Sequence, residues 1–345
     1  MGFRICAIGG GWMATQGHGP AYRRYVRENP EVELAACCDI NEETAWEYQK
    51  KFGFSMYDTD IFAMLDREKP DAVCLTVPVH LTAPLAVRIM EAGYPLMMEK
   101  PPGLDSRETQ SILSAAEKGD IPNQVAFNRR FTPLIRKLRE ELAANYHEED
   151  IQCIQYFMYR TGRTDEDFST TAIHGIDAAR YLAGSDYESV RFQYQELPRL
   201  GKGVANIYME CVFASGAAAQ LSFCPVAGVT AERAVVHLHD HTYFLNVPVW
   251  GCMDSPGRLL HVEKNKTVSD LSGLDLCSSQ EMYETNGFYG EDASFFDTIR
   301  AGKKPVDDVK SALQSVEVAA CIRKRQGEYK RGPLLGFAWI SYINW

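Results

Sequence analysis

The sequence predicts an α/β chain in two parts: a parallel sheet covered by helices, then an α+β unit built on an open, mostly antiparallel sheet. Three observations carry this reading. Short apolar runs alternate with amphipathic stretches through the first third of the chain, and a glycine-rich turn follows the first of those runs directly. Beyond residue 123 the alternation gives way to strands in succession. At 345 residues the chain also exceeds what one hydrophobic core usually serves, so we expect two domains, residues 1–122 and 123–345.

The apolar runs at 3–8, 32–38, 72–77, 96–98 and 124–127 read as strands of the parallel sheet. Between them, periodic stretches at 20–27, 42–52, 61–67, 83–92 and 106–118 read as helices, with Gly53, Gly93 and Gly119 fitting C-terminal caps. In the second part we expect a helix at 133–144, a strand at 151–159 and a helix around His174. Strands then follow at 190–195, 205–214, 217–223, 234–238 and 243–247, before a closing helix at 309–325. No internal repeat or low-complexity linker is present, so the boundary rests on the change of period alone.

Composition excludes several classes. Hydrophobic residues at 46% and charged residues at 24% match ordinary globular usage and argue against disorder. A net charge of -10 repels phosphate backbones, and the one local basic run, 323–325, is short; no nucleic-acid partner is expected. The apolar stretches at 71–78 and 334–345 fall far below the roughly 20 residues needed to span a bilayer. The first strand leads into a glycine turn rather than a cleavage site, so we expect a cytoplasmic protein without a membrane partner.

The ten cysteines form no Cys-x-x-Cys pair and read as small buried hydrophobes rather than disulfides. His237, His239 and His241 alternate, but residues 239–242 read as a hairpin turn that breaks the common face and leaves them in solvent. No metal is expected. The apolar, aromatic tail at 334–345 would favour subunit contact.

Gly9-Gly10-Gly11-Trp12-Met13-Ala14 reads G-x-G-x-x-A directly after the first strand, the fingerprint of a dinucleotide-binding Rossmann turn. Gly9 permits the tight turn, Gly11 lets the backbone approach a pyrophosphate, and Ala14 lets the next helix pack closely. That helix then turns its N-terminus, Trp12 and Met13 included, towards the anion. Asp39 closes the second strand where an acid accepts hydrogen bonds from the adenosine ribose. The next residues are Ile40 and Asn41 rather than an arginine, so the position argues for NAD over NADP. A 2'-phosphate about 4 Å from that carboxylate would meet a repulsion of roughly 4 kcal/mol per charge pair.

Further motifs carry a family resemblance. Met98-Glu99-Lys100-Pro101-Pro102 follows the 96–98 run, and Thr76-Val77-Pro78 ends the 72–77 run. Asn128-Arg129-Arg130-Phe131-Thr132-Pro133 opens the second part, Ile173-His174-Gly175-Ile176-Asp177 lies in its helix, and residues 295–302 precede Lys304-Pro305 and a helix from Asp308. Together these resemble the glucose-fructose oxidoreductase / inositol dehydrogenase (Gfo/Idh/MocA) family over residues 3–327, with Glu99-Lys100-Pro101 as its signature.

The resemblance implies a Rossmann domain plus an open, mostly antiparallel sheet, with the active site between them. It implies an NAD(P)-dependent dehydrogenase or reductase acting on CH–OH groups of a sugar, cyclitol or related polyol, assembled as a homodimer or homotetramer through the sheet. Lys100 then orients the reacting hydroxyl or takes its proton as hydride moves to nicotinamide, and His174 faces it from the other domain. Cofactor contacts are expected from Gly9, Gly11, Trp12, Met13, Asp39, Ile40, Thr76, Val77, Pro78, His80, Glu99, Lys100 and Asn128. Substrate contacts are expected from Lys100, Arg130, Arg160, Arg163, Thr170, His174 and Asp177; the last three share a helix face with Tyr181, and guanidinium forks suit hydroxyl-rich or carboxylated substrates.

Two positions depart from the family pattern. Thr170 stands four before His174, where an Asp is frequent, and threonine cannot hold an imidazolium; this leaves His174 as the acid/base. Pro78-Val79-His80 replaces the usual Pro-Asn-x-x-His, so ribose contacts fall to Thr76, backbone groups or His80. Two other readings stay open: a glycoside-cleaving enzyme that oxidises and re-reduces its substrate with bound NAD, and a non-catalytic nucleotide-sensing regulator on the same fold.

Overall fold

Runs of Val, Ile, Leu, Ala and Cys flanked by capped helices build the first layer of the computed structural model, which describes residues 2–332. The chain enters as β1 (Phe3–Ile8), α1 (Gly19–Glu28), β2 (Val32–Cys38), α2 (Glu42–Phe52) and β3 (Met56–Asp58). It continues through α3 (Ile61–Glu68), β4 (Ala72–Leu75), α4 (Val79–Glu91), β5 (Leu96–Glu99), α5 (Ser106–Gly119) and β6 (Asn123–Ala126). The six strands are all parallel in the order β3-β2-β1-β4-β5-β6. Chain direction across the sheet reverses between β1 and β4, which opens a crevice at their carboxyl ends.

The helix starts are set by short polar caps: Asn41, Asp60 and Asp105 each accept a backbone N–H of the following first turn. Gly53 caps α2 in the left-handed region as expected, but Gly119 stays helical and Asp120, a residue that tolerates that region, takes the turn at φ 55°. β6 pairs with β5, so the parallel sheet runs past the expected 122/123 division to Ala126. β3 escaped the sequence reading because its three residues hold no buried apolar run.

The second layer begins with α6 (Pro133–Asn145), β7 (Cys153–Tyr159), α7 (Ser169–Ala183), β8 (Tyr187–Glu196), β9 (Ala205–Phe213) and β10 (Ala218–Cys224). It is completed by β11 (Ala231–His237), β12 (His241–Asn246), β13 (Arg258–Glu263), β14 (Lys266–Ser272), α8 (Met282–Thr285), α9 (Phe288–Arg300), α10 (Val309–Arg323) and β15 (Glu328–Lys330). Its nine strands run β14-β13-β12-β11-β7-β10-β9-β8-β15, antiparallel except for the β7/β10 pair. Helices α6, α7 and α10 cover one face. The α7 approach is close: a Cβ on Gly175 would stand 2.7 Å from the Phe223 ring. The opposite face stays open, with Tyr208, Val212 and Phe244 exposed along it.

Helix α9 leaves this layer and packs against α1, burying Phe295 and Phe296 with Ile5, Tyr22 and Tyr25 in a core of the first sheet. A parallel sheet needs cover on both faces, and here a late helix helps supply it. The joint is Gly287, whose φ of 91° is left-handed and whose Cβ would lie 2.3 Å from the Asn128 carbonyl oxygen.

The histidine hairpin differs in part from expectation. His239 sits exposed in the turn, but His237 bonds Thr242 and His241 shares a 3.0 Å contact with His261, so two of the three are half-buried. All ten cysteines are unpaired, six of them buried. No helix among the described residues is long and apolar enough to cross a membrane. The tail at 334–345 lies outside the described residues.

Replacing Gly287 by alanine is expected to destabilise the fold by roughly 1–3 kcal/mol, since strain and overlap with the backbone at Asn128 act together. A urea titration that gives the wild-type midpoint for Gly287→Ala would contradict this packing.

Candidate active site

The carboxyl ends of β1 and β5 face α7 and the rim of the second sheet across a cavity of about 670 Å³. Gly9 leaves β1 with a φ of 94°, and a Cβ there would stand 2.0 Å from the Thr76 carbonyl oxygen, so only glycine fits. Nothing lies within 4 Å of the Cβ position of Gly11, which leaves the outer side of the turn open to a ligand. Trp12 and Met13 line the cavity, and the Trp12 ring meets Trp250 edge to face at 5.0 Å, joining the glycine turn to the second layer.

Asp39 stands beside this turn. Its Oδ2 accepts the Gly10 N–H at 2.8 Å and its Oδ1 the Asn41 N–H at 2.9 Å, so the half-exposed carboxylate is held in place with lone pairs to spare. Ile40 is almost fully exposed. Thr76 and Val77 pack beside Gly9, Pro78 caps α4, and His80 is exposed on the first turn of that helix, outside the cavity lining. Val79, which the sequence reading passed over, lines the cavity instead.

Lys100 follows β5 directly, and its Nζ donates to the Thr170 carbonyl oxygen at 3.1 Å. Burial lowers its pKa to about 8; Glu99 opposes that shift, while Arg129, Arg163 and Arg160 add to it. His174 lines the same cavity one turn along α7. Burial first, then Lys100 and the same three guanidinium groups, hold its pKa well below 6.5, so the ring is neutral at pH 7. Its Nδ1 is buried without a hydrogen-bond partner among the described residues.

The second layer supplies three arginines. Arg129 grips Glu232 through Nε at 3.1 Å and Nη2 at 3.0 Å, and Arg160 bonds the same carboxylate, which is fully buried and also receives the Tyr156 hydroxyl. Arg163 bonds Asp165 at 2.7 Å and the Thr171 hydroxyl at 3.1 Å. The sequence reading chose Arg160 and Arg163 but missed Arg129 and Glu232. A signal existed: Glu232 is in phase with Ala234 and Val236 on the buried face of β11, where an acid requires a partner.

A further missed group lies beneath Lys100. The buried His18 ring contacts Asp292 through Nδ1 at 2.9 Å and Glu99 through Nε2 at 3.2 Å. Burial opposes the charged ring, yet the two carboxylates raise its pKa well above 6.5. Glu99 in turn keeps its own pKa below the ordinary value against burial, and its Oε2 accepts the Lys100 N–H at 2.9 Å. Glu291 joins His18 and Asp292 in a cluster of ligand-type atoms within 4.8 Å of one another among the described residues.

Two expected substrate contacts are corrected. Arg130 and Asp177 turn away from the cavity into a buried ion pair, with contacts of 2.6 and 2.8 Å, extended by Asp307 and Ser315. Asp177 is three residues from His174, a rotation of about 60° on the helix, enough to meet the second layer's interior instead of the cavity. Asn128 lines the cavity, though its side chain is engaged by Asn286 and Arg129. Thr170 contributes its carbonyl rather than its hydroxyl, which leans towards Asp167.

Against known proteins, residues 3–127 match the family model described as an oxidoreductase family with an NAD-binding Rossmann fold. Over this domain the chain is similar to the Gfo/Idh/MocA oxidoreductases. It is 29% identical over 203 residues to levoglucosan dehydrogenase of Pseudarthrobacter phenanthrenivorans, covering 51% of this chain and 50% of that protein. It is 23% identical over 328 residues to scyllo-inositol 2-dehydrogenase (NAD(+)) of Bacillus subtilis, covering 88% and 90% respectively. The chain spans about half the length of the first curated relatives it matches. Among solved structures, a levoglucosan dehydrogenase in complex with NADH and levoglucosan shares the fold at a TM-score of 0.78 and 20% identity, covering 96% of this chain and 99% of that one.

If Asp177 serves structure, Asp177→Ala leaves Arg130 buried with Asp307 as its remaining carboxylate. The expected cost is about 3 kcal/mol, the low end for breaking a buried pair, read as a lower urea midpoint. An unchanged midpoint would refute the assignment.

Proposed function

We propose that the chain is an NAD-dependent oxidoreductase that moves hydride between nicotinamide and a hydroxyl-bearing or carbonyl carbon of a sugar, cyclitol or related polyol. The observation that carries this reading is the convergence of Lys100 and His174 on one cavity beside the open glycine turn. The open space at Gly11 and the fixed Asp39 carboxylate fit a dinucleotide. When bound, NAD supplies the hydride acceptor at its nicotinamide ring.

The protein's own groups then handle the proton. An amine with a pKa of about 8 is poised near working pH, whereas a ring held neutral well below 6.5 is a weak base. Lys100 therefore takes the proton of the reacting hydroxyl, one of the two roles the sequence left open for it, although the departure at Thr170 had favoured His174 as the acid/base. His174 holds the same oxygen by a hydrogen bond, and Trp12, Trp250 and Phe288 give that side of the cavity an aromatic wall. Neither Ile40 nor His80 has a part in this scheme, and Arg130 and Asp177 act only as structure.

We divide the chain after Phe127, where the family model also ends. The unpaired cysteines favour a reducing, cytoplasmic setting. The exposed Tyr208, Val212 and Phe244 on the open sheet favour a homodimer or homotetramer assembled there.

The test is NADH formation, followed by absorbance, across a panel of sugars, sugar acids and cyclitols. The proton acceptor must be neutral, so kcat/KM for oxidation is expected to rise with pH through about 8 and level off above it. Lys100→Ala is expected to lose roughly 10²–10⁴-fold in kcat, to lose that inflection, and to retain NADH binding. No NADH across the whole panel, or a variant as active as wild type, sinks the proposal.

A further inference from the structure

The charge of the cavity exceeds what a neutral polyol requires. Lys100, Arg129, Arg160 and Arg163 line it, and Glu99 is the one carboxylate among its lining residues. That carboxylate is committed elsewhere, to the His18 ring and the Lys100 backbone. Arg129 and Arg160 share the single charge of Glu232, which leaves one positive charge of the pair unbalanced in a buried place. Arg163 has only Asp165, through an ion pair whose two side chains are 42% and 44% exposed; such pairs are weak and readily exchanged.

Hydrogen-bond chemistry points the same way. Each hydroxyl of a neutral sugar brings a donor that wants an acceptor, but guanidinium and ammonium groups offer donors only. A carboxylate is acceptor-only, and its planar pair of oxygens matches the guanidinium fork. On Arg163 the Nε and Nη2 have protein partners, while Nη1 has none among the described residues. A substrate carboxylate can exchange with Asp165 or meet that free edge.

We infer that the substrate is a sugar acid, a polyhydroxylated molecule carrying a carboxylate, which seats that group on Arg163 and the Arg129–Arg160 side of the cavity while its reacting hydroxyl meets Lys100. This rests on the hydride-transfer reading above. Bound oxidised nicotinamide carries a further positive charge, so the preference is stronger for the oxidation complex than for the free protein.

The experiment compares matched pairs with the full-length protein and NAD: D-glucuronate against D-glucose, D-galacturonate against D-galactose, and D-glucose 6-phosphate as a separate anion. Calorimetric titration of the same compounds into the NADH complex runs in parallel. The acids are expected to exceed their neutral counterparts by tenfold or more in kcat/KM or in affinity. Arg163→Gln, a change on an exposed side chain, is expected to narrow that ratio by about 10-fold or more, the loss of one charge-assisted contact. Neutral sugars turned over as well as the acids would overturn the inference and leave the hydride-transfer reading standing. A preference for the 6-phosphate over both uronates, or an acid-to-neutral ratio untouched in Arg163→Gln, would overturn the assignment of a carboxylate to Arg163. Acids bound by the NADH complex with no turnover of any compound would support the anionic site and overturn hydride transfer. Neither binding nor turnover would overturn both.

Discussion

The hydrogen bond from the Lys100 amine to the Thr170 carbonyl spans the gap between the end of β5 and the first turn of α7, and the chemistry of the cavity depends on its acceptor being neutral. A carboxylate in that place would stabilise the ammonium and raise its pKa; a carbonyl fixes the position of the nitrogen with much less bias towards the charged form. Burial and three nearby guanidinium groups then bring the amine to about 8. Burial first, and then Lys100 and the same guanidinium groups, lower the pKa of His174 as well and keep it neutral. On the proposed reading the amine rather than the imidazole accepts the proton, a consequence that the identity of the two residues alone did not disclose.

That amine keeps its place because the strand carrying it is anchored from below. Glu99 takes the Lys100 backbone N–H with one oxygen and faces His18 with the other, and His18 is held by Asp292 from α9. Two carboxylates around one charged imidazole leave no room for a third negative charge. Glu291, fully buried with both oxygens unpartnered among the described residues, accordingly has its pKa raised well above 4.5, first by burial, with His18 opposing and Asp292 and Glu99 adding to the rise. The helix that returns from the second layer thus contributes electrostatics to the site as well as cover to the first sheet.

Much of this architecture was legible because local signals agreed with the global fold. The five buried strands β1, β2, β4, β5 and β6 carry apolar runs, the helices between them carry caps, and the glycine turn announces its own backbone conformation. The parts that escaped lack one of those signals. β3 and β15 are three residues long, and α9 interrupts a domain in which it takes little part. Arg130 and Asp177 were read as site residues because their neighbours in sequence are; that they choose each other across 47 residues is a tertiary fact. Glu232 was legible in principle, since strand alternation placed it indoors, yet its two arginine partners come from an earlier turn and an earlier strand end.

The cavity divides its labour between the two layers, and this division governs how specificity can change. The glycine turn, Asp39 and Lys100 belong to the first layer, where each is tied to backbone: Gly9 to Thr76, Asp39 to Gly10, and Lys100 to the strand end. A side chain added at Gly9 would collide with the Thr76 backbone beside it. The arginines belong to the second layer, and of these Arg129 and Arg160 are locked to Glu232 while Arg163 rides on a half-exposed loop with a surface partner. Exchanging Arg163 alters the charge presented to the cavity at little structural cost, whereas exchanging Arg129 or Arg160 takes a hydrogen-bonding partner from the fully buried Glu232 carboxylate. On the proposed function, substrate preference is therefore most free to vary at the loop between β7 and α7, while cofactor binding and proton transfer stay tied to the sheet beneath.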